Sequence, residues 1–146
     1  MTDQPYQDTS LDLVYHLLFC DDLQLYKDHT PQPCPAPFDV LFSEESTAAE
    51  LQQLIDDAAM DLRVKVLAYN RLRASGQVIS KKELLAVIVE VALDEGLDVL
   101  AAFSNGTARY INHSKKILMW ETADATSDGL ISELFALGAD IVAQIG

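Results

Sequence analysis

Five polar side chains between residues 90 and 116 have types that could do chemistry: Glu90, Asp98, Arg109, His113 and Lys116. An aspartate beside a histidine can orient the imidazole as a general base, and a guanidinium can hold a carboxylate or a phosphate. His113, Asp98 and Arg109 are therefore the candidate catalytic or ligand-binding residues. Cross-strand His/Asp and Arg/Trp pairs also decorate half-exposed sheets, and this structural role is the simpler interpretation.

The element that must position these residues is a predicted antiparallel β-meander over residues 84–121. Four runs rich in β-branched and other apolar residues follow one another, at 84–93, 97–104, 107–113 and 116–121. Such runs favour strands over helices of equal hydrophobicity. Short turns separate them, so each strand is expected to pair with the next.

Three turn sequences set the expected pairing. Asp94-Glu95-Gly96 predicts a three-residue hairpin loop with the glycine in the left-handed position. Asn105-Gly106 predicts a type I′ turn, because both of its central residues tolerate positive φ. Ser114-Lys115 is the predicted last turn, although a glycine would be expected there. These turns imply three cross-strand pairs: Leu93 with Leu97, Phe103 with Ala108, and Asn112 with Ile117.

This register assigns the strand residues to two faces, since side chains alternate along a strand. The predicted core face carries Val87, Val89, Val91, Leu93, Leu97, Val99, Ala101, Phe103, Ala108, Tyr110, Ile117 and Met119. The predicted outer face carries Ile88, Glu90, Ala92, Asp98, Leu100, Ala102, Arg109, Ile111, His113, Lys116, Leu118 and Trp120.

The predicted outer face mixes charges with large apolar groups, which suits a partner or a second subunit. Its expected interface residues are Leu100, Ile111, Leu118, Trp120 and Arg109. In this register Asp98 lies opposite His113, and Arg109 lies opposite Trp120, where the guanidinium could stack on the indole.

Helical periodicity predicts the remaining elements of a single domain that spans residues 1–146. After a mobile polar tail at 1–8, we expect a helix from about Leu11 to Lys27. Thr47-Ala-Ala-Glu50 is a capping box that starts a second helix, ending near Ala59. Asp61 caps a third helix that ends at Ser75-Gly76, and residues 128–145 form an amphipathic last helix.

Residues 28–43 contain Pro31, Pro33, Pro35 and Pro37 and predict an extended, polyproline-like connector. A rigid strap across the domain and a proline-rich partner motif are the two interpretations, of which the strap is simpler.

Composition excludes several function classes. The chain of 146 residues has 23 acidic and 10 basic side chains, a formal charge of −13, which disfavours nucleic-acid binding. No apolar run approaches a membrane span, and the polar N-terminus does not resemble a secretory signal, so we expect a cytoplasmic protein. The two cysteines form no CxxC pair, and no phosphate loop, nucleophile elbow or zinc motif occurs. We therefore expect no metal and no cofactor.

The segment Gly106-Thr-Ala-Arg-Tyr-Ile-Asn-His-Ser114, followed by Lys116-Ile-Leu-Met-Trp-Glu121, resembles a signature of uncharacterised bacterial proteins. The resemblance extends to Lys65-Val-Leu-Ala-Tyr-Asn70 and to residues 82–91, and it implies no known activity. In architecture, a meander that ends in a helix is similar to roadblock-like and profilin-like domains.

The predicted fold is therefore α+β, a four-stranded antiparallel β-meander packed in two layers against helices. The leading function hypothesis is a non-enzymatic interaction or regulatory module, expected to form a homodimer or to bind another protein through the outer face. The first alternative is a small-ligand site or enzyme that uses His113, Asp98 and Arg109. The second is an acidic inhibitor or immunity-type protein for a basic partner.

Overall fold

The computed structural model describes residues 5–19, 22–79, 83–94, 96–121 and 125–145. The elements in chain order are α1 Thr9–Phe19, α2 Leu23–His29, α3 Phe38–Phe42, α4 Ala48–Asp56, α5 Leu62–Ala74, β1 Ala86–Leu93, β2 Gly96–Phe103, β3 Ala108–Ile111, β4 Ile117–Trp120 and α6 Ala125–Ile145. They form two compact units, residues 1–19 with 84–146 (the sheet unit) and residues 20–83 (the helical unit). That both units belong to a single domain stays a prediction.

The sheet unit confirms the predicted α+β meander. Its four strands pair antiparallel in the order β1-β2-β3-β4, and α6 contacts β1 and β2. The β-branched density of 86–93 thus forms a strand, as propensity predicts. The last helix begins at Ala125, three residues before the predicted start.

The predicted cross-strand pairs are wrong by one residue in every hairpin. Leu93 pairs with Gly96, so two residues connect β1 to β2 instead of three. The next loop has three residues, because the Phe103 N–H donates to the Thr107 carbonyl, and positive φ occurs at Gly106 but not at Asn105. The predicted type I′ turn is therefore wrong, and a three-residue loop with one left-handed position replaces it.

The last hairpin repeats this three-residue geometry without a glycine. The Asn112 N–H donates to the Lys116 carbonyl at 3.0 Å, which leaves residues 113–115 as the loop. Lys115 occupies the left-handed position with φ 70°, equivalent to Gly106 in the preceding loop. The expectation of a glycine in this turn identified a real left-handed position, which a lysine fills instead.

These changed loop lengths exchange side chains between the faces, since a one-residue slip reverses every residue of a strand. We name the two faces by the helices beside them. The α6 face carries Val87, Val89, Val91, Leu93, Asp98, Leu100, Ala102, Ala108, Tyr110, Leu118 and Trp120. The α1 face carries Ala86, Ile88, Glu90, Ala92, Leu97, Val99, Ala101, Phe103, Arg109, Ile111, Ile117 and Met119.

The core of the sheet unit centres on the α1 face of β2 and β3. Val99, Ala101, Phe103 and Ile111 are buried there. The apolar stripe of α1 contributes the buried side chains of Leu11, Tyr15 and Phe19. A hydrogen bond of 2.6 Å from the Tyr15 hydroxyl to Glu90 Oε1 fixes α1 to this face.

The helical unit has its own apolar core. Its buried side chains come from α3, α4 and α5: Leu41, Phe42, Leu51, Ile55, Val64, Leu67, Ala68 and Leu72. The Thr47–Glu50 capping box and the Asp61 cap are both formed, as predicted. Arg71 Nη1 donates to the carbonyls of Leu41 and Ser43 at 2.7 Å each, which satisfies acceptors at the end of α3.

Three predicted helical and connector boundaries need correction. The predicted helix 11–27 is two helices, because Asp22 accepts a hydrogen bond from the Leu25 N–H and caps a new helix; Cys20 and Asp21 lie outside the described residues. The predicted extended connector 28–43 contains the helix α3. The second predicted helix ends at Asp56, short of Ala59.

Candidate functional site

Asp98 in β2 lies at the centre of the polar cluster that the sequence singles out. One carboxylate oxygen, Oδ1, accepts from the His113 backbone N–H at 2.9 Å and lies 2.8 Å from His113 Nδ1. The other oxygen, Oδ2, accepts from the Tyr110 hydroxyl at 2.9 Å. The predicted Asp98–His113 contact is therefore formed, although His113 is a loop residue here and not the cross-strand partner.

These hydrogen bonds define the protonation of the cluster. They lower the pKa of Asp98, chiefly through the bonds from the His113 backbone and ring, and raise the pKa of Tyr110, chiefly through its bond to Asp98. An ionised carboxylate only accepts hydrogen bonds, so His113 Nδ1 carries the proton in this contact. In the neutral tautomer with the proton on Nδ1, Nε2 is the acceptor, which is the arrangement that a general base requires.

Tyr6 connects the N-terminal segment to this cluster and is a residue that sequence reasoning missed. Its hydroxyl donates to the Leu97 carbonyl at 2.8 Å, and its side chain is buried. Burial and the nearby negative charges, Asp98 first, raise the pKa of Tyr6 to about 12. The prediction of a mobile tail at 1–8 is thus wrong at Tyr6; residues 1–4 lie outside the described residues.

A cleft of about 280 Å³ adjoins His113, lined by Tyr6, Gln7, Asp8, Leu11, His113 and Lys115. Lys115 Nζ lies 3.0 Å from Asp8 Oδ2 across it. The ion pair of Lys115 with Asp8 engages both charges, so the acceptor that the cleft offers a ligand is the His113 imidazole.

Arg109, the third candidate catalytic residue, lies apart from Asp98 and His113. It belongs to the α1 face, whereas Asp98 belongs to the α6 face. Its guanidinium carbon lies 5.2 Å from the centre of the Phe103 ring, so the predicted stacking on Trp120 is wrong. Lys116 immediately precedes β4, with its carbonyl accepting from the Asn112 N–H, and Glu90 bonds Tyr15 on the α1 face. The candidate ligand site therefore keeps Asp98 and His113, loses Arg109 and gains Tyr110, whose hydroxyl donates to Asp98.

The predicted interface residues divide between the two faces in the same way. Leu100, Leu118 and Trp120 share the α6 face, while Arg109 and Ile111 belong to the α1 face, where Ile111 is 0% exposed. Of these three, Leu100 lies beside exposed side chains of β1, whereas Leu118 and Trp120 lie in β4 at the opposite edge of the sheet. We call this surface the open face, which consists of Val89, Val91, Leu93, Leu100, Leu118 and Trp120.

The helix α6 extends the exposed apolar surface. Residues 139–145, its last two turns, are all exposed although apolar side chains dominate them. Five large apolar side chains of α6 are open to solvent: Leu130, Leu137, Ile141, Val142 and Ile145. Helical geometry places Leu130, Leu137, Ile141 and Ile145 on one stripe. We call this set the outer stripe of α6.

Comparisons with known proteins add no relative: no family model matches the chain, and neither does any curated protein or solved structure. The resemblance of residues 106–121 to uncharacterised bacterial proteins stays a prediction. Across the described ranges, no helix combines the length and apolarity needed to cross a membrane. Within those same residues, no three His, Cys, Asp or Glu side chains come together to hold a metal ion.

Proposed function

We propose that the protein is a non-enzymatic protein-interaction module that forms a homodimer through its open face and the outer stripe of α6. The observation that carries the proposal is the amount of uncovered apolar surface on this side of the sheet unit. Ten large apolar side chains there are exposed: Val89, Val91, Leu93, Leu118, Trp120, Leu130, Leu137, Ile141, Val142 and Ile145.

The size of this surface matches that of a stable interface. The ten side chains expose on the order of 900 Å², against the roughly 800 Å² that each partner contributes to an interface of standard size. Isolated exposed apolar residues need no explanation, but this many on one side of the sheet mark an interaction surface.

The charge distribution favours a second copy of the chain as the partner. Two molecules that each carry a net charge of −13 repel one another wherever like charges meet. Among the strand positions on the α6 face, however, Asp98 is the one charged residue, and three hydrogen-bond contacts already engage it. The open face can therefore meet its own copy without bringing carboxylates into contact.

The test is the substitution Trp120→Asp, with Met119→Asp as its matched control. The two residues are neighbours in β4 with comparable exposure, 37% and 48%, but they belong to opposite faces. Sedimentation velocity should show that Trp120→Asp weakens self-association while circular dichroism stays native, and that Met119→Asp leaves the dimer intact. An unchanged profile for Trp120→Asp would refute the proposal, as would a wild-type chain that is monomeric at micromolar concentration.

A second candidate function is a small-ligand site at His113. The observation that favours it is the orientation of the imidazole by Asp98, which leaves Nε2 available beside the cleft. A ligand with a hydrogen-bond donor, such as a protonated acid or an alcohol, fits this acceptor. The cross-strand role of the same contacts, which fix the last hairpin to β2, accounts for them without a ligand.

A further inference from the structure

Strand β1 is an edge of the sheet with apolar side chains exposed on both faces. Ile88 on the α1 face is 41% exposed, and Val91 on the α6 face is 51% exposed. The strand is eight residues long, and its charged side chain is Glu90. Natural proteins protect such edges with charges, prolines, bulges or a covering element, because a long apolar edge readily pairs with another strand.

The backbone of β1 presents its free hydrogen-bonding groups at alternate residues. The Leu85 carbonyl accepts from the Ser104 N–H at 3.0 Å, so this directly opposed pair is of the hydrogen-bonded type. In an antiparallel ladder the two pair types alternate, and odd-numbered residues of β1 therefore bond to β2. The N–H and C=O groups of Ala86, Ile88, Glu90 and Ala92 point away from β2.

We propose that β1 pairs antiparallel with β1 of a second copy, with Val89 on the two-fold axis. This rests on the proposed self-association and deepens it by naming a backbone contact and its register at β1, the edge of the sheet opposite to Trp120. Outward groups lie at even positions in both copies, so even residues must pair with even residues. Centring on Val89 pairs Ala86 with Ala92 and Ile88 with Glu90, which uses all four outward residues within the strand.

Both neighbouring registers are less favourable. Centring on Ile88 would pair Ala92 with Leu84, which lies before the start of β1. Centring on Glu90 would place two glutamates directly opposite each other, and like charges in that arrangement destabilise a sheet. It would also pair Ala86 with Asp94, which lies beyond the end of β1. The pairing centred on Val89 avoids both problems, because each Glu90 then faces an isoleucine.

The sequence of β1 is self-complementary about the same residue. Ala86-Val-Ile-Val-Glu-Val-Ala92 reads almost identically in both directions from Val89, with Ile88 and Glu90 as the exception. In the paired state the α6 face gains a ladder of valines, with Val89 opposite Val89 and Val87 opposite Val91. Cross-strand pairs of β-branched residues stabilise sheets, and an isologous two-fold contact requires this kind of self-complementary surface.

The same axis explains the uncovered helix. A two-fold axis that joins two antiparallel edge strands into one sheet is perpendicular to that sheet, so each face of one copy continues into the same face of the other. Because α6 contacts β1 and β2, both α6 helices then lie on one face of an eight-stranded sheet, each against Val87 of its own copy at one end of the valine ladder. The outer stripe of α6 and the β1 residues of the open face, Val89, Val91 and Leu93, supply apolar surface for that arrangement.

Disulfide trapping tests the register. Single cysteines replace Val89, Glu90 or Val91 in a Cys20→Ser, Cys34→Ser chain, and cross-linking is followed under mild oxidation by non-reducing electrophoresis. Two Val89→Cys residues would face each other in a non-hydrogen-bonded pair with Cα atoms about 4.5 Å apart, within disulfide range. Val91→Cys residues would be offset by four positions, about 13 Å along the strands. Val89→Cys should therefore cross-link at least about tenfold faster than Val91→Cys, since proximity sets the rate.

The outcomes separate this proposal from the proposed function. Faster cross-linking of Glu90→Cys than of Val89→Cys would overturn the Val89 axis. A dimer that Trp120→Asp dissociates but that none of the three cysteines cross-links would overturn edge pairing and retain the open-face interface. Efficient Val89→Cys cross-linking of a dimer that Trp120→Asp does not affect would support edge pairing and refute the role of Trp120.

A proline substitution tests the backbone contact independently of cysteine chemistry. Ala92→Pro removes one outward N–H per copy and leaves every N–H that donates to β2 in place. Ala92→Ser is the control that keeps the outward N–H. With two interchain hydrogen bonds lost per dimer, the dissociation constant should rise about tenfold or more for Ala92→Pro. Equal dissociation constants for the two folded variants would overturn edge pairing.

Discussion

Two glycines of α6 differ in what a side chain at each position would meet. A Cβ atom at Gly138 would lie 2.9 Å from Val87 Cγ2 and 3.6 Å from Leu84 Cδ2, whereas a Cβ atom at Gly129 would have nothing within 4 Å. Both glycines lie within the same helix, so both carry the same cost in helix propensity. The pair therefore isolates the close approach of α6 to β1.

The two glycine-to-alanine substitutions are expected to change the free energy of unfolding in opposite directions. Replacing a glycine inside a helix by alanine stabilises the helix by roughly 0.5–1 kcal/mol, because the unfolded chain loses conformational freedom. Gly129→Ala should show this gain in full. At Gly138 the same gain is opposed by overlap with the Val87 methyl group, and overpacking of this kind costs about 1–3 kcal/mol. Gly138→Ala should thus be less stable than Gly129→Ala by about 1–3 kcal/mol.

Urea unfolding at one fixed protein concentration measures this difference, because self-association would otherwise shift the apparent stability. The double variant Gly138→Ala with Val87→Ala removes the overlapping methyl group and completes a double-mutant cycle. It should recover part of the loss, with a coupling free energy between the two sites of about 0.5–3 kcal/mol.

Equal stabilisation by Gly129→Ala and Gly138→Ala would refute the contact between α6 and β1. A coupling free energy of zero would refute it too, even if Gly138→Ala proved destabilising, because Val87 would then not be the group that a side chain at this position meets. Either result would also mean that α6 does not pack on this face of the sheet, and it would weaken the proposed dimer arrangement.

Two further predictions concern the polar cluster. Burial and nearby carboxylates raise the pKa of Tyr6 from 10.0 to about 12, so between these pH values the tyrosine ionises in the unfolded chain while it stays neutral in the folded one. Its contribution to stability is therefore complete below pH 10 and is lost as the pH rises to 12. Urea midpoints should fall less over that range in Tyr6→Phe than in the wild type, and an equal fall in both proteins would contradict this. If His113 holds a ligand, thermal-shift screening of small acids, alcohols and phosphates should give a stabilisation that His113→Ala abolishes; a shift retained in the variant would place that ligand elsewhere.

Local sequence patterns predicted most of the elements because their signals lie within a few residues. The Thr47–Glu50 capping box and the Asp61 cap satisfy backbone donors of their own helices, and the structure forms both. The valine-rich composition of β1 likewise predicts a strand without knowledge of its partners. The Asp98–His113 contact was also predicted, since the loop brings His113 close to Asp98 in either register.

The sequence by itself determined a four-stranded meander, its strand order and the helices around it, because propensity, capping and turn residues act locally. The tertiary structure decided which face each side chain occupies. A hairpin loop one residue longer or shorter reverses a whole strand, and the sequence signals at residues 94–96 and 104–107 allow both loop lengths. That choice separated Arg109 from Asp98, brought Tyr110 to the cluster and placed Trp120 on the same face as the exposed valines of β1, because packing of the complete sheet against α1 and α6 selects the register.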